Sequence, residues 1–168
     1  RTLGIDCAHW PSAHWAKGVW EEMANLGASP LLERSLAATD LPLPLLFREL
    51  DTAYPGSKFV LTVRDEEQWV RSVERHFSAA NPFRAGWDSD PFTNRVHTLL
   101  YGRRKFDAEV FRARYRQHNT EVREYFRRRP ADLLEVDLSG QDWYPLCGFL
   151  SARVPDAAFP WENRTGAP

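Results

Sequence analysis

Residues 37–77 read A-A-T-D-L-P-L-P-L-L-F-R-E-L-D-T-A-Y-P-G-S-K-F-V-L-T-V-R-D-E-E-Q-W-V-R-S-V-E-R-H-F, and their pattern decides the fold class. The run Phe59 to Val63 is apolar and rich in β-branched residues, enclosed by Pro55-Gly56 on one side and Arg64-Asp65 on the other. A strand buried on both faces of a parallel sheet has that composition. Asp65 stands where a helix N-cap belongs, Gln68 three residues on completes a capping box, and Glu66 and Glu67 sit at the favourable end of the helix dipole. Strand end, Arg64 and helix start therefore coincide. Ligands of open α/β sheets bind at the carboxyl ends of the strands, which presents Arg64 at the ligand edge. Ser72, eight residues later, lies about two turns up the helix. A guanidinium and a hydroxyl so placed can hold a phosphate.

Upstream, Leu36 to Thr39 predicts a second short strand, with Asp40 at its end before Leu41-Pro42. Pro42 and Pro44 are expected to open a helix carrying Leu45, Leu46, Leu50 and Tyr54. Residue type alone leaves Asp40 equally a turn or helix cap and a reactive carboxylate. Arg1 to Gly4 reads as the last turn of a helix and Ile5 to Ala8 as a short strand. His9-Trp10-Pro11 to His14-Trp15 is an aromatic-rich loop leading into a helix with Val19, Trp20 and Met23 on one side. His9 and His14 have no cysteine or carboxylate cluster beside them, so they read as loop histidines rather than metal ligands. The tryptophans serve equally as core and as the wall of an acceptor pocket.

Downstream, the predicted helix from Glu66 to Ala79 buries Trp69, Val73 and Phe77 and carries Ser72 on another face with Gln68 and His76. Asn81 to Asp90 reads as a loop; Phe83, Trp87 and Phe92 in and beside it suit a lid or a packing patch. Val96 to Tyr101 predicts a short helix, and Asp107 to Arg128 the longest one, with Phe111, Tyr115, His118, Val122, Tyr125 and Phe126 on its apolar stripe. His118 there reads as a core histidine. Arg127-Arg128-Arg129 complements the helix dipole as a solvated cap before Pro130. Leu133 to Val136 reads as a buried strand ending in Asp137, Tyr144 to Leu150 as a short helix, and F-P-W-E-N-R-T-G as a tail bearing Asn163, Arg164 and Gly166.

A chain of 168 residues is the size of one domain, and residues 1–168 are taken as one. A net charge of -1 speaks against a nucleic-acid partner, and no apolar run reaches the ~18 residues of a membrane span. Cys7 and Cys147, far apart and without metal-ligand spacing, suit two reduced thiols and hence a cytoplasmic protein. Arginine far outnumbers lysine, which reflects genome composition rather than mechanism.

The Arg64 to Ser72 pair, its apolar strand and the upstream T-D-L-P together resemble the PAPS-dependent sulfotransferases of the P-loop superfamily. The wording L-D-T-A-Y-P-G-S-K-F-V-L-T-V-R-D-E-E-Q-W is similar to a bacterial or fungal branch. The resemblance covers about Leu3 to Arg164. It implies an α/β fold with a three-layer parallel sheet flanked by helices, and transfer of a sulfuryl group from PAPS to a hydroxyl or amine of a small-molecule acceptor, without a metal. It further implies that Arg64 and Ser72 hold the 3′-phosphate of PAPS, with Arg164 as a weaker counterpart of a C-terminal phosphate-binding arginine. In the animal cytosolic members the strand end reads Thr-His-Leu-Pro and its histidine is the base; here Thr39-Asp40-Leu41-Pro42 puts a carboxylate in that place, which favours Asp40 as the base over a cap. The family's phosphosulfate-binding loop has no match in these residues and is expected before Arg1, with its strand between those ending at Asp40 and Arg64. A nucleoside-kinase-like phosphotransferase and a non-catalytic interaction domain are the alternatives.

Overall fold

The computed structural model describes residues 2–78, 80–81, 84–140 and 142–160. Two parallel strand pairs organise it. Strand β1 (Cys7–His9) pairs with β2 (Ala37–Thr39), with His9 opposite Thr39, and β3 (Phe59–Val63) pairs with β4 (Leu133–Asp137), with Val63 opposite Asp137. Among the described residues β2 and β3 are not hydrogen-bonded to each other, and the strands stand as two two-stranded parallel sheets, with no direct pairing across the place where a further strand is expected. The architecture is mixed α/β with parallel strands and flanking helices.

Helix α1 (Ala13–Leu26) starts on Ser12, whose side chain accepts from the Trp15 amide, and stops at Gly27, whose φ of 72° turns the chain out of the helix. Its buried Val19 and Met23 meet Leu32 and Leu46 in a first core, with Trp15 and Trp20 packed against it. Pro42 does not open a helix as expected. The Leu41-Pro42 bond is cis, the Leu43 amide donates to the Asp40 carbonyl, and the chain turns there before a 3-10 segment at Leu43–Leu45 and helix α2 (Phe47–Ala53). Helix α2 joins two cores, because Leu46 at its start packs into the first while Phe47 packs with Leu61, Val122 and Phe126 in the second.

The strand at Phe59–Val63 is present with the expected bounds, but it is not buried on both faces. Leu61 is buried against helix α6 (Ala108–Phe126), whereas Val60 on the other face is 42% exposed, since no described element covers it. Helix α3 (Glu66–His76) begins on Asp65, whose carboxylate accepts from the Gln68 amide as the pattern predicts; it ends three residues before Ala79. The predicted loop after it holds a short helix, α4 (Arg84–Ser89), and α5 (Pro91–Tyr101) begins five residues earlier than expected because Asp90 caps it and Pro91 takes its first position. Val73, Phe77 and Phe111 form a third core between α3 and α6, with Tyr101 of α5 against it.

Arg112 of α6 reaches Glu66 and Glu67 of α3 and lashes the two helices together. Arg129 is not a solvated cap: it pairs with Asp51 of α2 at 2.6 Å, a carboxylate that also accepts from the Tyr125 hydroxyl at 2.8 Å. Helix α7 (Trp143–Leu150) follows β4, with Asp142 capping it. Among the described residues no helix is long and apolar enough to cross a membrane.

Candidate functional site

Asp40 and His9 meet at the carboxyl edge of the first strand pair. The parallel register sets His9 opposite Thr39, and Asp40 follows with φ of 78°, a left-handed conformation that few residues other than glycine, asparagine and aspartate adopt at low cost. Asp40 Oδ1 accepts from the amide of Leu41 at 2.7 Å, while Oδ2 lies 3.4 Å from His9 Nε2. The imidazole is 70% exposed and the carboxylate 44%. His14, on the first turn of α1, is exposed and makes no such contact among the described residues. Among the described residues no third His, Cys, Asp or Glu joins His9 and Asp40 as a metal-binding group.

His76 of α3, Trp87 of α4 and His97 and Tyr101 of α5 form an aromatic cluster. The Asp40 charge acts on His76 of α3 and on Tyr101 of α5. Burial drives the Tyr101 phenol up to about 12, and the Asp40 charge adds to it. Partial desolvation holds the His76 imidazole below its ordinary value, against the opposing pull of Asp40. Trp87 lies 4.5 Å from the His76 ring and 5.5 Å from His97, centre to centre. Trp87 thus belongs to this cluster, whereas Trp15 packs against the first core and Phe92 meets Trp20; Phe83 lies outside the described residues.

Arg64 stands at the carboxyl end of β3, and Tyr115 of α6 holds its backbone from both sides. The Arg64 amide donates to the Tyr115 hydroxyl at 3.1 Å, and that hydroxyl donates to the Arg64 carbonyl at 3.0 Å. Trp69 stacks on Tyr115 with 4.4 Å between ring centres. The Arg64 guanidinium donates to Gln68 Oε1 at 3.3 Å, so Gln68 serves Arg64 with its side chain instead of closing the expected capping box. Gln68, Ser72 and His76 follow at four-residue intervals on one face of α3, the face that starts beside Arg64. Ser72 is half-buried on that face. Arg164 lies outside the described residues.

A cleft of about 400 Å³ opens beside Arg64, with Tyr115, Asn119, Thr120, Arg123 and Asp137 among its walls; Ser72 is not part of it. Arg116, also at the cleft, is committed to Glu66, and Arg123 to Glu135 at 2.7 Å. Arg64 alone of these three forms no ion pair among the described residues, and its partner Gln68 is neutral. Tyr115 is the residue of this site that sequence reasoning missed: its place on the apolar stripe of α6 is legible, its hydrogen bonds to Arg64 are not.

The description "sulfotransferase domain" attaches to the family whose model matches residues 2–167, and the chain belongs to that family. It is similar to the Ava biosynthesis cluster protein M of Aspergillus versicolor, 27% identical over 181 residues that cover 95% of this chain and 68% of that protein.

Proposed function

We propose that the protein transfers a sulfuryl group from PAPS to a hydroxyl or amine of a small-molecule acceptor, its two parallel strand pairs being halves of one three-layer, P-loop-type sheet. The observation that carries this reading is Arg64: a guanidinium at a strand end with no ion pair among the described residues, its backbone held by Tyr115, in a chain of the sulfotransferase family. Arg64 and Ser72 bind the 3′-phosphate, Arg64 through charge-assisted hydrogen bonds. Asp40 belongs to the acid–base machinery that deprotonates the acceptor, and His76, Trp87 and Tyr101 line the approach to it. As the acceptor oxygen bonds to sulfur, the bond from sulfur to the phosphate oxygen breaks and its electron pair leaves with PAP. This chemistry needs no metal. Cys7 and Cys147 are separate thiols, in keeping with a cytoplasmic protein.

Titration of the full-length protein with PAP, followed by thermal shift, tests the reading together with transfer of labelled sulfate from PAPS to a panel of phenols, alcohols and amines. Stabilisation by PAP but not by adenosine 5′-phosphate is expected, since only PAP carries the 3′-phosphate. A protein indifferent to both ligands has another function.

A further inference from the structure

We infer that the group taking the acceptor proton is the imidazole of His9, and that Asp40 is its positioning residue. The proposal rests on the sulfuryl-transfer reading above and says which atom of the site accepts the proton. Asp40 Oδ1 accepts from the Leu41 amide, and Oδ2 faces His9 Nε2 at 3.4 Å. The neighbouring carboxylate favours the tautomer with its proton on Nε2, and in that tautomer the imidazole keeps the lone pair of Nδ1 for an incoming proton. His9 is also the more open of the two, at 70% against 44% exposure, so an acceptor molecule reaches it first.

The backbone builds the pair deliberately. The parallel register of β1 and β2 brings His9 beside Thr39, and the two chains then turn sharply at Trp10, with φ of 35°, and at Asp40, with φ of 78°. Non-glycine residues in this region cluster where function requires a fixed geometry. Strand ends and turns together hold the dyad at the sheet edge where ligands bind.

In the step itself the acceptor O–H proton passes to His9 Nδ1 while the acceptor oxygen bonds to sulfur and the phosphate oxygen departs with the electron pair of the broken bond. Asp40 stays ionised and balances the imidazolium, which later loses its proton to solvent. An aspartate that orients a histidine and stabilises its charged form is the arrangement of the hydrolase triads.

The test uses the full-length protein and measures turnover and PAP affinity side by side for His9→Ala, His9→Gln, Asp40→Asn, the double variant His9→Ala/Asp40→Asn, and His14→Ala. His9→Ala is expected to lose about a hundredfold or more in turnover with PAP affinity unchanged, within the range of general-base catalysis. Imidazole added to the buffer should restore part of the activity of His9→Ala, because the position is open to solvent, and should not restore Asp40→Asn. The double variant should be no slower than the worse single one, as for residues acting as a unit, and His14→Ala should match the wild type. Normal turnover in His9→Ala with a slow Asp40→Asn makes the carboxylate itself the base and overturns the dyad, leaving sulfuryl transfer intact. Loss in His9→Ala without imidazole rescue, with full activity in His9→Gln, makes His9 structural and overturns it too. A wild type that binds no PAP overturns both readings.

Discussion

His9 Nε2 lies 3.4 Å from Asp40 Oδ2, across the ends of two parallel strands that pair His9 with Thr39. That contact sets a carboxylate singled out by its neighbours in the chain beside an imidazole from a separate strand.

Asp40→Asn is the cleanest probe of this pair. Asparagine tolerates φ of 78° and still accepts from the Leu41 amide, so the turn should survive. Turnover should fall by about a hundredfold, and PAP affinity should stay within error. A variant with near-wild-type turnover returns Asp40 to a turn-forming role, since asparagine caps about as well as aspartate.

Arg64→Ala should weaken PAP binding by roughly one to two orders of magnitude, from the loss of charge-assisted hydrogen bonds of about 1.5–3 kcal/mol. Ser72→Ala removes a neutral hydroxyl and should cost less. Calorimetric titration of each variant with PAP and with adenosine 5′-phosphate checks the assignment: equal losses for both ligands mean that these residues do not read the 3′-phosphate.

Tyr115→Phe deletes the hydroxyl that holds the Arg64 amide and carbonyl while keeping the ring stacked on Trp69. With about 1 kcal/mol for a neutral hydrogen bond, PAP affinity should drop roughly fivefold. Affinity for a ligand without the 3′-phosphate should not change. A PAP affinity equal to wild type shows that α6 does not position Arg64.

Asp51 ties α2 to the end of α6, its side chain only 9% exposed beneath Arg129. The Arg129 hydrogen bond, helped by the Tyr125 hydroxyl, holds its carboxyl below the ordinary carboxylate range. A depressed carboxyl contributes stability that is full above the unfolded-state value of about 4 and is lost as pH falls through the folded one. Asp51→Asn should therefore cost about 2 kcal/mol at neutral pH, roughly 4–8 °C in Tm. Thermal melts from pH 7 down to pH 3 should show the gap to wild type closing below about pH 4; a gap that stays constant with pH rules out the ion pair as its source.

Local chemistry was legible in the chain because it acts over a few residues. The run Phe59–Val63, the Asp65 cap and the long helix after Asp107 are present where the pattern puts them. Asp90-Pro91 carried the start of α5 as a cap followed by proline, a marker outweighed by the apolar residues around it. Arg64 at a strand end, Ser72 on the Gln68 face and Asp40 after a strand were all readable from spacing. Other features came from packing between distant segments. Val60 lies open because no described element covers that face, and Arg129 is bound because α2 brings Asp51 beneath it. The pairing of His9 with Asp40 depends on the register of two three-residue strands and on a left-handed turn, and the hold of Tyr115 on Arg64 depends on where α6 crosses β3. Composition and spacing specify what each residue can do; only the packing of separated elements decides which of them stand within a hydrogen bond of one another.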